Sequence, residues 1–313
     1  MTVVVVGGSG FIGRHLCDYL GQQQYSVIAT TRSKPRPVDQ RDGIEYRQLN
    51  LLDDDAVAEF DLSGVECVVY LAARTHILRE SEPDPLAAYR KINVDAAVDF
   101  AARAAAQGVA RFIYVSSIGV NGLANKQAFR ETDPPNPQEP YAQSKLEAEQ
   151  ILLDSCRRDG IELVILRPVL VYGADAPGNF ARLQQAIRAG RPLPIGGFDN
   201  SRSLLAIENL VQLLEICIHH PQAANQLFLA ADGDDVSSPA LARKIGDAIG
   251  KPARLVNLPL WLLRPVAGLL GKARELERLC GSLQVDISKA RNRLGWRPAL
   301  SLQQALQKLS RVD

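Results

Sequence analysis

The 313-residue sequence predicts an α/β protein, a doubly wound parallel sheet with a smaller mixed α/β region attached, on three observations. Short β-branched runs alternate with helical patterns through the first half, which is the signature of consecutive βαβ units. Several of those runs are continuously apolar, as strands covered on both faces must be. A cluster of glycines stands at the first junction of strand and helix.

Taken in order, strands are expected at 3–6, 26–30, 45–49, 67–71, 112–115 and 163–166, with helices between them at 12–22, 54–60, 86–107 and 141–158. After Pro168 the alternation stops. Pro and Gly punctuate 173–178 and 190–197, and short helical patterns dominate to the end. Ser237 or Ser238 followed by Pro239 reads as the cap of a further helix. Runs at 203–206 and 226–230 are expected to return to the main sheet, so the two parts interleave: 1–172 with 203–230 as a Rossmann-type dinucleotide-binding domain, and 173–202 with 231–313 as a substrate-binding domain.

Composition narrows the function classes. Lys and Arg total 36 against 35 Asp and Glu, a net charge of +1, which offers no broad field for nucleic acid or an anionic membrane, so any anionic ligand must be held locally. Cys17, Cys67, Cys156, Cys217 and Cys280 lack metal-ligand spacing and read as reduced and buried; no metal site is expected. His219-His220 suits a helix end rather than a metal. The first residues lack a signal-peptide pattern, and the cytoplasm is the expected compartment. The most apolar stretch, 258–270, is interrupted by Arg264 and Pro265 and is too short for a membrane span. It is read as a helix packed in the smaller domain, the alternative being an interfacial helix marked by Trp261, Lys272 and Arg274.

Gly7-Gly8-Ser9-Gly10-Phe11-Ile12-Gly13 follows the first strand and opens the first helix. Glycines there let the backbone approach a pyrophosphate, whose charge a helix N-terminus stabilises. Gly7, Ser9, Gly10, Phe11, Ile12 and Gly13 are therefore candidate dinucleotide contacts. The second strand ends Ala29-Thr30-Thr31-Arg32-Ser33 with no carboxylate for the adenosine ribose. Thr31 and Arg32 suit a 2′-phosphate instead, so NADP(H) is favoured with NAD(H) as the alternative. Asn50 and Leu51 are placed for adenine, and Leu71, Ala72 and Ala73 for close passage of the cofactor.

Tyr141 and Lys145 stand four residues apart, on one helical face. A phenol of ordinary pKa near 10 is a poor base at neutrality; lowering it by about three units takes about 4 kcal/mol of phenolate stabilisation. The Lys145 ammonium and an oxidised nicotinamide are expected to supply it. Val115-Ser116-Ser117 ends the fifth strand, on the edge where open α/β sheets bind ligands, so Ser117 is expected to share the substrate oxygen and Val115 to line the cofactor. Asn93, a weak helix former in mid-helix, is expected to reach Lys145 through water.

These motifs, with Arg167-Pro168-Val169-Leu170-Val171-Tyr172-Gly173, resemble those of the extended short-chain dehydrogenases/reductases, the NAD-dependent epimerase/dehydratase family. The resemblance spans nearly the whole chain. It implies Tyr141 as acid/base, Lys145 as pKa modifier and ribose ligand, Ser117 as donor to the carbonyl oxygen, and Pro168 and Val169 at the nicotinamide. It also implies Asn179 and Arg202 as ligands of a nucleotide-sugar diphosphate, with 193–197 beside the base. Helices beginning at Leu86 and Tyr141 would pair in a homodimer, as in relatives.

Ile118 and Gly119 stand where the family's dehydratases carry an Asp-Glu pair, which excludes dehydration because apolar groups cannot move the extra protons. Asn121 replaces the family's usual Tyr before Gly122, at a sugar-contacting position. Gly281-Ser282-Leu283 through Lys289, with Gly295-Trp296-Arg297-Pro298, is similar to bacterial reductases of UDP-2-acetamido-2,6-dideoxy-4-keto-hexoses, enzymes of surface-polysaccharide and O-antigen synthesis. Reduction of such a 4-keto UDP-sugar is the expected reaction, with UDP-glucose or UDP-N-acetylglucosamine 4-epimerisation as the alternative. A non-catalytic dinucleotide sensor on the same fold would not need Ser117, Tyr141 and Lys145. Arg74 and His76, beyond the fourth strand, face either the sugar or solvent.

Overall fold

The computed structural model describes residues 1–33, 43–75, 83–269 and 273–311. Its main strands are β1 (Thr2–Val6), β2 (Ser26–Thr31), β3 (Ile44–Gln48), β4 (Cys67–Tyr70), β5 (Arg111–Val115), β6 (Glu162–Pro168) and β9 (Gln226–Ala230). They form a seven-stranded, wholly parallel sheet of order β3-β2-β1-β4-β5-β6-β9. Chain order reverses between β1 and β4, and a crevice at such a switch point is where doubly wound sheets bind ligands.

Side-chain alternation along the strands feeds two cores. Val3, Val5, Ala29, Val69 and Ile113 point to the face covered by helices α1 (Phe11–Gln22) and α7 (Ile207–His219). Val4, Val6, Val68, Tyr70 and Phe112 point to the opposite face. There they meet α2 (Asp54–Glu59), α4 (Ala96–Ala106) and α5 (Pro140–Asp159). Complete burial on both faces explains why β1 and β4 read as unbroken apolar runs.

The helix expected at 86–107 is interrupted. Helix α3 (Pro85–Arg90) runs into a π-turn over Lys91–Asp95 before α4 begins, and Asn93 sits inside that turn. The return to the sheet also differs from expectation. Residues 226–230 form β9 on the sheet's edge, pairing with β6 from Val164↔Gln226 to Pro168↔Ala230. Residues 203–206 do not join it: β8 (Leu204–Ala206) pairs with β7 (Leu170–Tyr172) in a separate two-stranded parallel sheet. The buried Asp232 fastens this sheet, accepting from Ala206 N at 2.9 Å, Asn209 Nδ2 at 2.7 Å and Tyr172 OH at 3.0 Å.

Beyond the sheet, α6 (Asn179–Arg188), α8 (Ser238–Ala248) and α12 (Leu302–Gln307) enclose a third core that includes Phe180, Leu241, Ile245 and Leu306. Ser237 caps α8, its hydroxyl accepting from Ala240 N. The stretch expected to pack as a core helix does not: α9 (Leu260–Leu269) leaves Trp261 69% and Leu269 89% exposed. It is followed by α10 (Ala273–Cys280) and α11 (Ser288–Leu294). All five cysteines are free; four are buried, while Cys280 is only half-buried, at the end of α10 rather than inside a core. His220 terminates α7, and no group of His, Cys, Asp and Glu suited to a metal occurs among the described residues. No helix among them is long and apolar enough to cross a membrane.

Candidate active site

The glycine loop is compressed to a degree that only glycine permits. Gly7 adopts φ +88°, and a Cβ on it would press on the Ala72 backbone at 3.0 Å. A Cβ on Gly8 would meet Ala29 Cβ at 2.7 Å, and one on Gly13 would collide with the Gly7 carbonyl oxygen. Thr30 holds the loop to β2, its hydroxyl accepting from Gly7 N at 3.1 Å and its carbonyl from Gly8 N at 2.9 Å. Helix α1 starts after Gly10 with no side-chain cap and no acidic residue in its first turn, so its N-terminal amides suit an anion. This cradle fits the pyrophosphate of a dinucleotide. Phe11 and Ile12 are half-buried, Ser9 and Gly10 exposed.

Around the cradle lie the other expected cofactor residues, all on the carboxyl edge of the sheet. Thr31 is buried and spends its hydroxyl on the Ser33 carbonyl at 2.6 Å, while Arg32 beside it is exposed. Asn50 is exposed, its side-chain oxygen accepting from Leu52 N; Leu51 is half-buried. Leu71 N donates to the Val6 carbonyl, and Leu71, Ala72 and Ala73 are half-buried. Val115 ends β5, Pro168 ends β6, and Val169 follows, all buried.

Helix α5 brings the catalytic candidates to the same edge. Pro140 occupies its first position, so Tyr141 and Lys145 lie in its opening turns. Lys145 is 1% exposed; its ammonium donates to the Val115 carbonyl at 2.8 Å and the Tyr114 hydroxyl at 3.1 Å. Burial lowers its pKa to about 7, against the opposing pull of Glu149 one turn on. Ser117 caps the short 3₁₀ turn Ile118–Val120, accepting from Gly119 N at 3.1 Å. A Cβ on Gly119 would lie 3.4 Å from Ser117 Oγ and 3.3 Å from Ala142 Cβ, so this hydroxyl adjoins the first turn of α5. The neighbouring Ser116 hydroxyl, 3% exposed, has no hydrogen-bond partner among the described residues.

In the protein alone, burial and the adjacent Tyr89 raise the Tyr141 pKa to about 12; the expected lowering calls on the charge of an oxidised nicotinamide as well as on Lys145. The Tyr89 and Tyr141 rings meet edge to face at 6.1 Å, and the Arg74 guanidinium lies 5.6 Å from the centre of the Tyr89 ring. His76 lies outside the described residues.

Asn93 is held by direct hydrogen bonds. Its side chain, completely buried, donates to Ser144 Oγ at 2.9 Å and clasps the Arg74 backbone from both sides, at 2.8 and 3.1 Å. The link to Lys145 runs through Tyr114, whose hydroxyl donates to the Asn93 carbonyl at 3.0 Å. Asn121, expected at the sugar, is 2% exposed and accepts from Arg167 Nη1 at 2.9 Å. Arg167 in turn forms a buried two-pronged pair with Glu149 at 2.9 and 2.5 Å. The carboxamide at 121 is thus committed to a buried ion pair that needs a third partner for its remaining donor.

Asn179 is exposed at the first position of α6, after Gly178 at φ +76°. Arg202 is half-buried on a different segment, its backbone bridged to Val236 and Leu283 and its guanidinium donating to the Gly281 carbonyl at 2.9 Å. Sequence reasoning gave no role at the site to Tyr89, Tyr114, Ser144, Glu149 or Arg167. Glu149 alone carried a usable signal, continuing the face of Tyr141 and Lys145 by one more turn.

Residues 3–230 match the NAD dependent epimerase/dehydratase family. A Vibrio cholerae UDP-glucose 4-epimerase is 37% identical over 99% of this chain and 95% of its own length. An Escherichia coli O157:H7 N-acetyl-alpha-D-glucosaminyl-diphospho-ditrans,octacis-undecaprenol 4-epimerase is 26% identical over 86% of this chain and 77% of its own. Among solved structures, the Thermotoga maritima UDP-glucose 4-epimerase with UDP-glucose superposes with a TM-score of 0.81 at 23% identity, covering 99% and 98% of the two chains, and so shares the fold.

Proposed function

The chain belongs to the NAD dependent epimerase/dehydratase family, and from that premise we propose that it is an NAD(P)-dependent enzyme inverting C4 of a UDP-hexose. The observation that carries the reading is the convergence of Lys145, Ser117 and the opening turn of α5 on the sheet edge that also bears the glycine cradle. The 37% identity to a UDP-glucose 4-epimerase along nearly the whole chain favours epimerisation over the reduction expected from the tail.

In this reading Tyr141 exchanges a proton with the C4 oxygen and Ser117 donates a hydrogen bond to it. Lys145, fixed by the Val115 carbonyl and Tyr114 hydroxyl, would hold the cofactor's nicotinamide ribose and bias the phenol. A bound NAD(P) supplies the hydride acceptor and donor and, when oxidised, a positive charge. With its pKa pushed up to about 12, the Tyr141 phenol stands ready to donate a proton; removing one requires the added positive charge. Arg202 and Asn179 would take the diphosphate, the first as a forked cation and the second without charge. The two relatives share a sugar diphosphate and differ in its carrier, nucleoside or undecaprenol; the reading commits to the nucleoside.

A second reading, reduction of a UDP-linked 2-acetamido-2,6-dideoxy-4-keto-hexose, is favoured by one feature: exposed Arg32, with no carboxylate at the β2 end, suits NADPH. Incubation with UDP-glucose and UDP-N-acetylglucosamine, followed by proton NMR, tests the first reading. It predicts the C4 epimer with no net change in cofactor. Stoichiometric NADPH oxidation by the 4-keto sugar, without epimerisation of either UDP-hexose, would establish the second instead.

A further inference from the structure

We propose that helices α9 and α10 form a docking surface for an anionic lipid bilayer, set beside the Arg202 segment. Helix α9 exposes Trp261 by 69%, Leu262 by 43% and Leu269 by 89%, and α10 exposes Leu279 by 50%. Leaving such apolar area in water costs roughly 25 cal/mol per Å², and clustered patches of this kind mark interaction surfaces.

Charge selects the occupant. Residues 251–280 hold six Lys and Arg against two Glu, while the whole chain is only +1, so the positive excess falls in the same stretch of sequence as the exposed apolar side chains. Two copies meeting through this segment would juxtapose like charges, whereas an anionic lipid surface complements them. Exposed Arg264 in the middle of α9 can lay its stem along the apolar surface with its head at phosphate level. Ten residues are far too few to span a bilayer, but an amphipathic helix with tryptophan and arginine can lie in its interface.

The segment is anchored at one end to residues 193–196 and at the other to Asn200 and Arg202, the last proposed to hold the diphosphate. On one side Leu193 and Gly196 bond to the backbone of Arg254 and Val256, at 2.8 and 3.1 Å. On the other, Asn200 donates to the Leu279 carbonyl at 3.0 Å and Arg202 to that of Gly281 at 2.9 Å. Helices α9 and α10 thus lie in sequence between two stretches of backbone bonded to residues 193–202. Docking would turn these residues toward the membrane.

Trp261 provides the readout, since the other tryptophan, Trp296, is 1% exposed and has no surface for a bilayer to cover. The full chain is mixed with vesicles of phosphatidylcholine and phosphatidylglycerol in equal parts, and with phosphatidylcholine alone. The proposal predicts co-sedimentation and a blue shift of Trp261 emission with the anionic vesicles only, both weakened by salt. Leu262→Ser/Leu269→Ser, which retains the reporter, should reduce vesicle affinity by at least about tenfold while leaving the circular dichroism spectrum and lipid-free turnover unchanged. Three results would overturn it: no association with anionic vesicles, association that ignores the double substitution, or a lipid-free dimer that the double substitution dissolves. Because no readout of docking requires turnover, failure of the proposed reaction and failure of docking are separable.

Discussion

The Lys145 ammonium nitrogen lies 3.1 Å from the Tyr114 hydroxyl and 4.2 Å from the centre of the Tyr114 ring, so a residue of β5 fixes the cation that α5 carries. Tyr114 is completely buried and passes the contact to the Asn93 carbonyl in the π-turn. Sheet, α5 and the turn before α4 are thereby joined. π-Turns of this kind recur at functional sites, where the extra residue re-aims a backbone carbonyl.

Tyr114→Phe keeps the ring and removes the hydroxyl. Loss of one acceptor of a charged donor is worth about 1.5–3 kcal/mol, so kcat should fall roughly tenfold or more. Losing that acceptor also destabilises the ammonium, so the lysine ionisation in the pH profile of kcat should move down. KM for the sugar should change little. A profile superimposable on the wild type would show that Tyr114 only packs.

Gly13→Ala and Gly10→Ala should differ sharply. The first puts a methyl into the Gly7 carbonyl, where nothing flexible can yield; the second meets only that oxygen, at 3.3 Å. Overpacking of this sort costs about 1–3 kcal/mol, and here it falls on the cradle. Titration of intrinsic fluorescence with NADH and NADPH should show a dinucleotide affinity at least about tenfold weaker in Gly13→Ala than in Gly10→Ala.

Lys145 makes stability depend on pH with a definite sign. Its folded pKa of about 7 lies below the ordinary 10.5, so between those values the unfolded chain binds more protons and stability rises with pH. Tyr141 acts above that window, its raised pKa removing stability as pH climbs from 10 toward 12. Comparing wild type with Lys145→Met by urea unfolding from pH 7 to pH 10 should show the wild type gaining relative to the variant, by at most about 5 kcal/mol. A constant difference across that range would contradict the buried, weakened ammonium.

Arg167→Met strands the Glu149 carboxylate, 2% exposed, and should cost about 3–5 kcal/mol in urea unfolding. Removing both charges, in Arg167→Met/Glu149→Leu, should recover most of that loss, since the penalty is the unpaired charge and not the absent pair. Equal destabilisation of the single and double variants would argue that the pair itself holds the fold.

What the residues disclosed in advance was what is local. The glycine spacing, the apolar strands and the Tyr141–Lys145 interval are each contained within a few residues, and periodicity exposes them. The separate pairing of β7 with β8 was not legible, because three-residue strands leave no alternation to detect. Nor was the π-turn, whose composition is that of the helices around it. Asn121, Glu149 and Arg167 meet across 46 and 18 residues of chain, and Asn93 and Ser144 across 51; such partners are fixed by the assembled fold alone. Tyr114, inside an all-buried strand, looked like core, and by burial it is.

Tyr141 is the group assigned to move the proton at C4, and the proposed chemistry rests on it. Its most direct test is the rate of C4 inversion of UDP-hexose by Tyr141→Phe against wild type, at saturating NAD with dinucleotide binding measured on the same samples. Turnover should drop by about 10²–10⁴-fold while the dinucleotide remains bound. Inversion by Tyr141→Phe at the wild-type rate would contradict the assignment.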